Sequence, residues 1–469
     1  MRRTLFLTLS LIFLVSAKSV FAEGYKIQVE LPYAANQSVQ LTYHYLDKIY
    51  PSDTIWLNNK GIGTFEGDSL LTQGLYMIMI SQSEHFDFLL GADQQFSLSN
   101  TTTESKTMKI EGAKETEAFV DYLVYLDDLK AESQQLADQY KSATPEEKEN
   151  IRVEMKALDS KMKAYWETVG EKLPGSFLYK FLIANEVPQL DTSTLPAEIQ
   201  QNDSLLLLAR FNYQREHFWD NFDYTDERML YTPFFKPKLE TWFNKVLYPA
   251  YDSVKPYVYD FLDQVESNPR IFQFAASSFI NGAINSNVMG MDALFIDLAN
   301  DYYLNGKAFW ASESSLDKIR ENVIFIKDNL IGNAAPELIM ENYDGEFVDL
   351  YQVDAKVTVV LIFEPNCGHC KVFVPEFHEK VYEKYKDKGL QVYAIYSMDD
   401  KDEWTEFLIK HKLFDWINVW DPDNTTRYKI RYDARVTPGV YVLDENKKII
   451  AKKTTVEQLL DIMNERFNP

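Results

Sequence analysis

The sequence predicts a multidomain chain with an antiparallel β-sandwich first, an all-α segment in the middle and an α/β domain at its C-terminal end. Three observations carry that division. Apolar residues alternate with polar ones from Gly24 to about Gly112, the period of half-buried strands. From about Glu115 they recur at helical spacing instead. Near the end, Val357-Thr-Val-Val-Leu-Ile-Phe363 reads as a strand buried on both faces. It leads into Cys367-Gly-His-Cys370, which holds the only two cysteines of the 469 residues.

The first residues read as a leader. Met1-Arg-Arg-Thr4 is a positive n-region, Leu5 to Ala17 an apolar h-region, and Val20-Phe-Ala22 a small-residue cleavage pattern, so removal after Ala22 is expected. The apolar core is too short to span a bilayer comfortably, no cysteine near the cut could take a lipid, and no later stretch is long and uncharged enough to cross. An exported, periplasmic protein that is neither anchored nor a lipoprotein is the expectation. Four segments follow: leader 1–22, β-sandwich 23–112, helical domain 113–330 and α/β domain 331–469. A hydrophobic content of 46% and an aromatic content of 14% support well-filled cores. The net charge of −23 argues against nucleic acid or anionic lipid as partner, since both would be repelled.

In the β segment Tyr25, Ile27, Val29 and Leu31 alternate with polar residues, as do Val39, Leu41, Tyr43 and Tyr45, and then Phe86, Phe88 and Leu90. His44 and His85 have no metal-ligand spacing and read as surface or strand residues. In the helical segment, Phe119, Leu123, Leu126, Leu129 and Leu136 share one helix face. Thr144-Pro-Glu-Glu147 supplies an N-cap, a Pro at the first position and a capping-box Glu for a second helix running to about Glu171. Further helices are expected at 174–185, 204–219, 233–247, 253–266, 269–280 and 314–330. The aromatic run His217 to Tyr224 reads as a helix junction packing its own rings, with a client groove as the other account.

The C-x-x-C pair carries the chemistry. Cys367 is expected to open a helix, where unpaired backbone N–H groups and the helix dipole favour the thiolate, with Cys370 one turn on and close enough to form a disulfide. Haem attachment requires His after the second cysteine, where Lys371 stands; structural zinc requires further ligands that scattered histidines supply poorly. A purely structural bridge would close a minimal loop and stabilise little. A redox-active dithiol Cys367–Cys370 is the stronger reading, with no cofactor and no metal. Copper or haem handling through Cys367, Cys370 and His369 is a minor alternative.

From about Gly332 the chain resembles the thioredoxin-fold thiol–disulfide oxidoreductases of the TlpA/ResA type. Gly332-Asn-Ala-Ala-Pro336 and Tyr343-Asp-Gly-Glu-Phe-Val-Asp-Leu350 match the family's lead-in, and Asp399 to His411 its central insertion. The resemblance implies that Pro375 kinks the active-site helix and that Thr437-Pro438 forms a cis-proline loop packing on the cysteines and offering backbone to a client. Two departures stand out. Leu361 replaces the buried acid that serves the second cysteine, leaving Glu364 or water for that task. The Gly368-His369 dipeptide is that of disulfide isomerases, which moves the expected potential from the about −270 mV of thioredoxin toward about −180 mV. N-terminal β-domains of this kind resemble those of Bacteroidetes-type exported proteins.

The implied function is protein dithiol–disulfide exchange, reductive more than oxidative. Its partners would be client proteins with disulfides or thiols and a membrane or periplasmic redox partner. The contrasting hypothesis is an exported binding or adaptor protein whose N-terminal domains hold a peptide, glycan or protein.

Overall fold

The computed structural model describes residues 24–467 except 185 and 187, so the expected leader lies outside the described residues. N-terminal sheets, a helical middle and a C-terminal sheet flanked by helices follow in the expected order. The chain divides into two compact units, with the division between Lys238 and Leu239.

The first unit opens with eight strands: β1 Lys26–Glu30, β2 Ser38–Tyr45, β3 Lys48–Trp56, β4 Ile62–Glu66, β5 Gly74–Met79, β6 His85–Leu90, β7 Gln95–Ser99 and β8 Lys109–Glu111. They form two four-stranded sheets, β4-β1-β7-β8 and β3-β2-β5-β6. Ile27, Val29 and Phe65 of the first sheet share one core with Val39, Leu41, Ile78 and Phe88 of the second, so the alternation closes a sandwich. One pairing departs from a wholly antiparallel layout, because β1 and β7 run parallel. His85 is exposed, while His44 is mostly enclosed with its Nε2 3.7 Å from Asp87.

Helices Lys114–Ser142 and Pro145–Lys172 follow, and the capping box at Thr144 and Glu147 is present. They pack through Leu129, Leu136, Ile151 and Leu158 and stack Tyr125 on Tyr165 at 4.4 Å. At the aromatic junction Trp219 meets Phe218, Phe222 and Tyr224, so the run does pack its own rings. Lys238 is folded over Phe218 and Phe222, and its burial pulls its pKa down to about 8.

In the second unit, helices Tyr251–Val265, Pro269–Ile284, Met291–Leu298 and Glu313–Ile326 precede a seven-stranded sheet. The helix at Met291–Leu298 has no counterpart in the sequence reading; its N-cap is Gly290 at φ +86°, a conformation that glycine adopts without penalty. The sheet strands are β9 Ile339–Asn342, β10 Phe347–Asp349, β11 Val357–Phe363, β12 Leu390–Tyr396, β13 Ile417–Trp420, β14 Gly439–Asp444 and β15 Ile449–Lys452, in the order β10-β9-β13-β12-β11-β14-β15. Every residue of β11 is buried. Val359, Leu361 and Phe363 face one core with Cys370, Phe377 and Trp404, while Val360 and Ile362 face a second with Tyr393 and Tyr441.

The helices of this unit are tied to the sheet by one buried cation. Lys452 Nζ, on edge strand β15, donates to the Asn329 carbonyl at 2.9 Å and Asn329 Oδ1 at 2.7 Å, and pairs with Asp292. Asn329 in turn donates to the carbonyls of Phe325 and Arg431. Burial pushes the Lys452 pKa down while Asp292 holds it up. Lys452→Met would leave the Asp292 carboxylate enclosed without its cation, and a loss of about 3 kcal/mol or more is expected from urea denaturation monitored by far-UV CD. Adding Asp292→Leu should restore much of that loss.

Candidate active site

The site lies at the C-terminal end of β11. Glu364, Pro365 and Asn366 turn the chain, with the Cys367 N–H donating to the Glu364 carbonyl at 3.2 Å. Regular helix begins at Cys370 and runs to Phe377, so Cys367 does not open it as expected but stands in the turn just before it. Cys367 joins the helix through its carbonyl, which accepts from Lys371 N–H at 3.1 Å, but Val372 N–H then turns to the His369 carbonyl at 3.2 Å, so the regular ladder starts only at Cys370.

This placement still delivers the expected electrostatics. The Cys370 N–H points at Cys367 Sγ at 3.5 Å and favours the thiolate, whereas the donation from Cys367 Sγ–H to the Thr437 carbonyl at 3.3 Å is open only to the thiol. The Thr437–Pro438 bond is cis, as the resemblance implied. Partial burial pushes the Cys367 thiol up, but hydrogen bonding from Thr437, Cys370 and His369 outweighs it and holds the pKa below that of an ordinary cysteine. Cys370 is fully buried, and desolvation, reinforced by its neighbour Cys367, pushes it up to about 12. Both cysteines are free thiols, so the structure describes the reduced dithiol. The two thiols thus differ: Cys367 is partly exposed with its pKa held down, and Cys370 is buried with its pKa pushed up.

The remaining sequence-selected residues divide by location. Gly368 and His369 are exposed, and what His369 brings to Cys367 is its backbone N–H. A side chain at Gly368 would meet nothing within 4 Å, so that position is not sterically restricted to glycine. Glu364 is half-buried and presents its backbone to Cys370, while its carboxylate accepts from Ser397 Oγ at 3.3 Å. Pro375 lies inside the active-site helix, just ahead of the wide turn His378–Tyr382. Leu361 is fully buried, so no carboxylate occupies the place of the family's buried acid.

Two further histidines of this domain, on helices away from the sulfurs in sequence, are partly enclosed. His378 packs against Tyr382 and Trp416, and His411 against Phe407, because ring contacts recover apolar burial that a solvated imidazole would forgo. His378, Glu383 and Asp415 could together meet a cation. Lys386 already supplies positive charge there, 2.8 Å from Glu383 and 3.5 Å from Asp415.

Sequence reasoning missed Glu403. It lies on the helix Lys401–His411, accepts a hydrogen bond from the Asn366 side chain beside Cys367, and sits 3.1 Å from the Tyr396 hydroxyl. The insertion helix thus holds the turn that carries Cys367. Its acidic first turn was the available signal, but charge at a helix start reads first as capping.

Residues 331–452 match the AhpC/TSA family, and residues 156–329 match a domain of unknown function, DUF5106. No curated protein matches. Among solved structures, a domain of a possible thiol-disulfide isomerase from Cytophaga hutchinsonii is 40% identical, with 29% of this chain and 92% of that one covered, at a TM-score of 0.28. A thioredoxin-like protein from Bacteroides caccae is 18% identical over 59% of this chain and 97% of that one, at a TM-score of 0.45. The thioredoxin domain of a thiol-disulfide oxidoreductase from Bacteroides vulgatus is 22% identical over 29% and 98%, at a TM-score of 0.28. The class defined here is that of thioredoxin-fold enzymes. Residues 331–452 are thus an AhpC/TSA-family domain, and through that domain the chain is a thioredoxin-like oxidoreductase.

Iodoacetamide should modify Cys367 in the native reduced protein with an inflection below the ordinary cysteine pKa, since the rate follows the thiolate fraction. Cys370 should remain unmodified across the same range, since it is fully buried and desolvation pushes its pKa up to about 12. Peptide mapping after a pH series of brief labelling reads both outcomes.

Proposed function

We propose that the protein is exported, with cleavage after Ala22, and reduces disulfides of client proteins in the periplasm through Cys367 and Cys370. The supporting observation is the position of Cys367 Sγ between the Cys370 N–H and the Thr437 carbonyl of the cis-proline loop, with a lowered pKa beside a raised one. Among the described residues no helix is long and apolar enough to cross a membrane.

In this scheme the Cys367 thiolate attacks one sulfur of a client disulfide. The client S–S bond breaks, a Cys367–client bond forms, and the departing client sulfur takes a proton from solvent. Cys370 then loses its proton and attacks Cys367 Sγ, releasing the second client thiol and leaving the Cys367–Cys370 disulfide. Two electrons have passed from enzyme to client, and a membrane or periplasmic dithiol partner returns them. Water or Glu364 takes the Cys370 proton, because Leu361 cannot. Pro438 and Thr437 position the client, whose strand pairs with the loop backbone in the manner of β-addition. Gly368, His369 and Pro375 shape the helix start that carries the sulfurs. The modules read from the sequence, 23–112, 113–330 and 331–469, remain our division by composition and motif.

In Cys370→Ser, a mixed disulfide on Cys367 should accumulate with periplasmic proteins and disappear on adding dithiothreitol, as seen by non-reducing electrophoresis. Recovery of free protein alone would remove the exchange mechanism. A redox titration against glutathione should place the midpoint between about −270 and −180 mV. A value near the about −120 mV of strong periplasmic oxidants would reverse the assigned direction.

A further inference from the structure

The loop that touches Cys367 also borders a cavity that the α/β domain does not build alone. Val436, Pro438 and Phe373 form one side of a space of about 620 Å³, and Ile284, Asn322 and Ile326 from helices Pro269–Ile284 and Glu313–Ile326 form the other. A second space of about 400 Å³ shares Ile284 and Asn322 and continues between the same helices toward Trp310. The two make an elongated groove that starts beside the cis-proline and runs along the helical segment.

Three features describe what such a groove takes. Its wall next to the loop is apolar, and Val436 remains 75% exposed there. Thr454 lines the cavity, is only 6% exposed, and its Oγ1 has no hydrogen-bond partner among the described residues. A buried hydroxyl without a partner is costly, and an entering peptide group would satisfy it. The charged rim is held in place: Arg435 stacks over Phe325 at 4.3 Å, bonds Asn322 Oδ1 at 2.8 Å and pairs with Asp433, which also meets Lys453 at 3.6 Å. Two cations thus face one carboxylate, leaving local positive charge in a chain of net charge −23.

We propose that helices Pro269–Ile284 and Glu313–Ile326 form the second wall of the client site, so that the enzyme selects extended client segments with an apolar residue, and no basic one, beside the reacting cysteine. This rests on the oxidoreductase reading and gives part of the helical segment a role in choosing substrates. Ile284, Asn322 and Thr454 are specificity residues; the sulfur chemistry stays with Cys367 and Cys370. An extended segment is favoured because the groove is continuous with the loop that would pair with a client strand.

The test uses the full-length protein and two fluorescein-labelled peptides that carry a disulfide-bonded cysteine flanked by Leu or by Lys. Binding is read by anisotropy on the Cys367→Ser/Cys370→Ser variant, and turnover on protein with both cysteines, relative to a small aromatic disulfide. The Leu peptide should bind roughly tenfold tighter than the Lys peptide. Asn322→Trp, which fills the groove from a half-exposed position, should remove that preference and raise KM for the Leu peptide relative to the small disulfide. Thr454→Val should weaken Leu-peptide binding roughly threefold without lowering Tm. Equal binding of both peptides, or a preference unchanged in Asn322→Trp, would overturn the groove even with turnover intact. Selective binding without any turnover would support the groove and remove the redox reading instead.

Discussion

The double burial of β11 is the constraint from which the rest of the second unit follows. The strand is bonded on both edges, parallel to β12 and antiparallel to β14, and its residues alternate between two cores. A slip by one residue would exchange the two faces, so the register is fixed by packing. Fixed register means that the strand ends at Phe363, the turn follows at Glu364 to Asn366, and Cys367 arrives opposite Thr437. β14 begins at Gly439, directly after Pro438, so the strand that pairs with β11 also brings the cis-proline loop to the sulfur. The electrostatics of the dithiol are therefore a consequence of strand packing more than of any charged side chain nearby.

The asymmetry of the two thiols has the same origin. Cys367 is stabilised as thiolate by groups that belong to the backbone turn and the loop, whereas Cys370 points into the core with Phe377 and Trp404. Fully charged neighbours play little part, in keeping with a chain whose acidity would otherwise raise the pKa of any surface thiol. Glu403 acts at one remove, by restraining Asn366.

Legibility in the sequence followed the range of the interactions. The alternating strands, the capping box at Thr144 and the apolar run of β11 are set by neighbours a few positions apart, and each stands in the structure where the pattern put it, while the cis-proline after Thr437 was legible only through the resemblance. The parallel pairing of β1 with β7 joins segments about seventy positions apart and leaves no local trace. Lys452, in the run Lys452-Lys-Thr-Thr, reads as surface charge, yet its partners Asn329 and Asp292 lie far back in the chain. The start of the active-site helix shifted because Val372 N–H bonds the His369 carbonyl in a tighter first turn, which the residue pattern does not show. Thr454 and Asn322 could not be selected at all, since a groove has no signature until its two walls are brought together.

The joint made by Lys452 bears on how this enzyme can be divided. The two family matches end and begin at residues 329 and 331, and Asn329, the residue that receives the buried ammonium, stands on that seam. A fragment cut there would retain both sulfurs and the proline loop, yet lose the partners of a buried lysine and half of the adjoining cleft. Recombining this α/β domain with a foreign neighbour would thus part the two cysteines from the second wall of the cleft, and the seam would have to be drawn ahead of Pro269 to keep that wall together with the partners of Lys452.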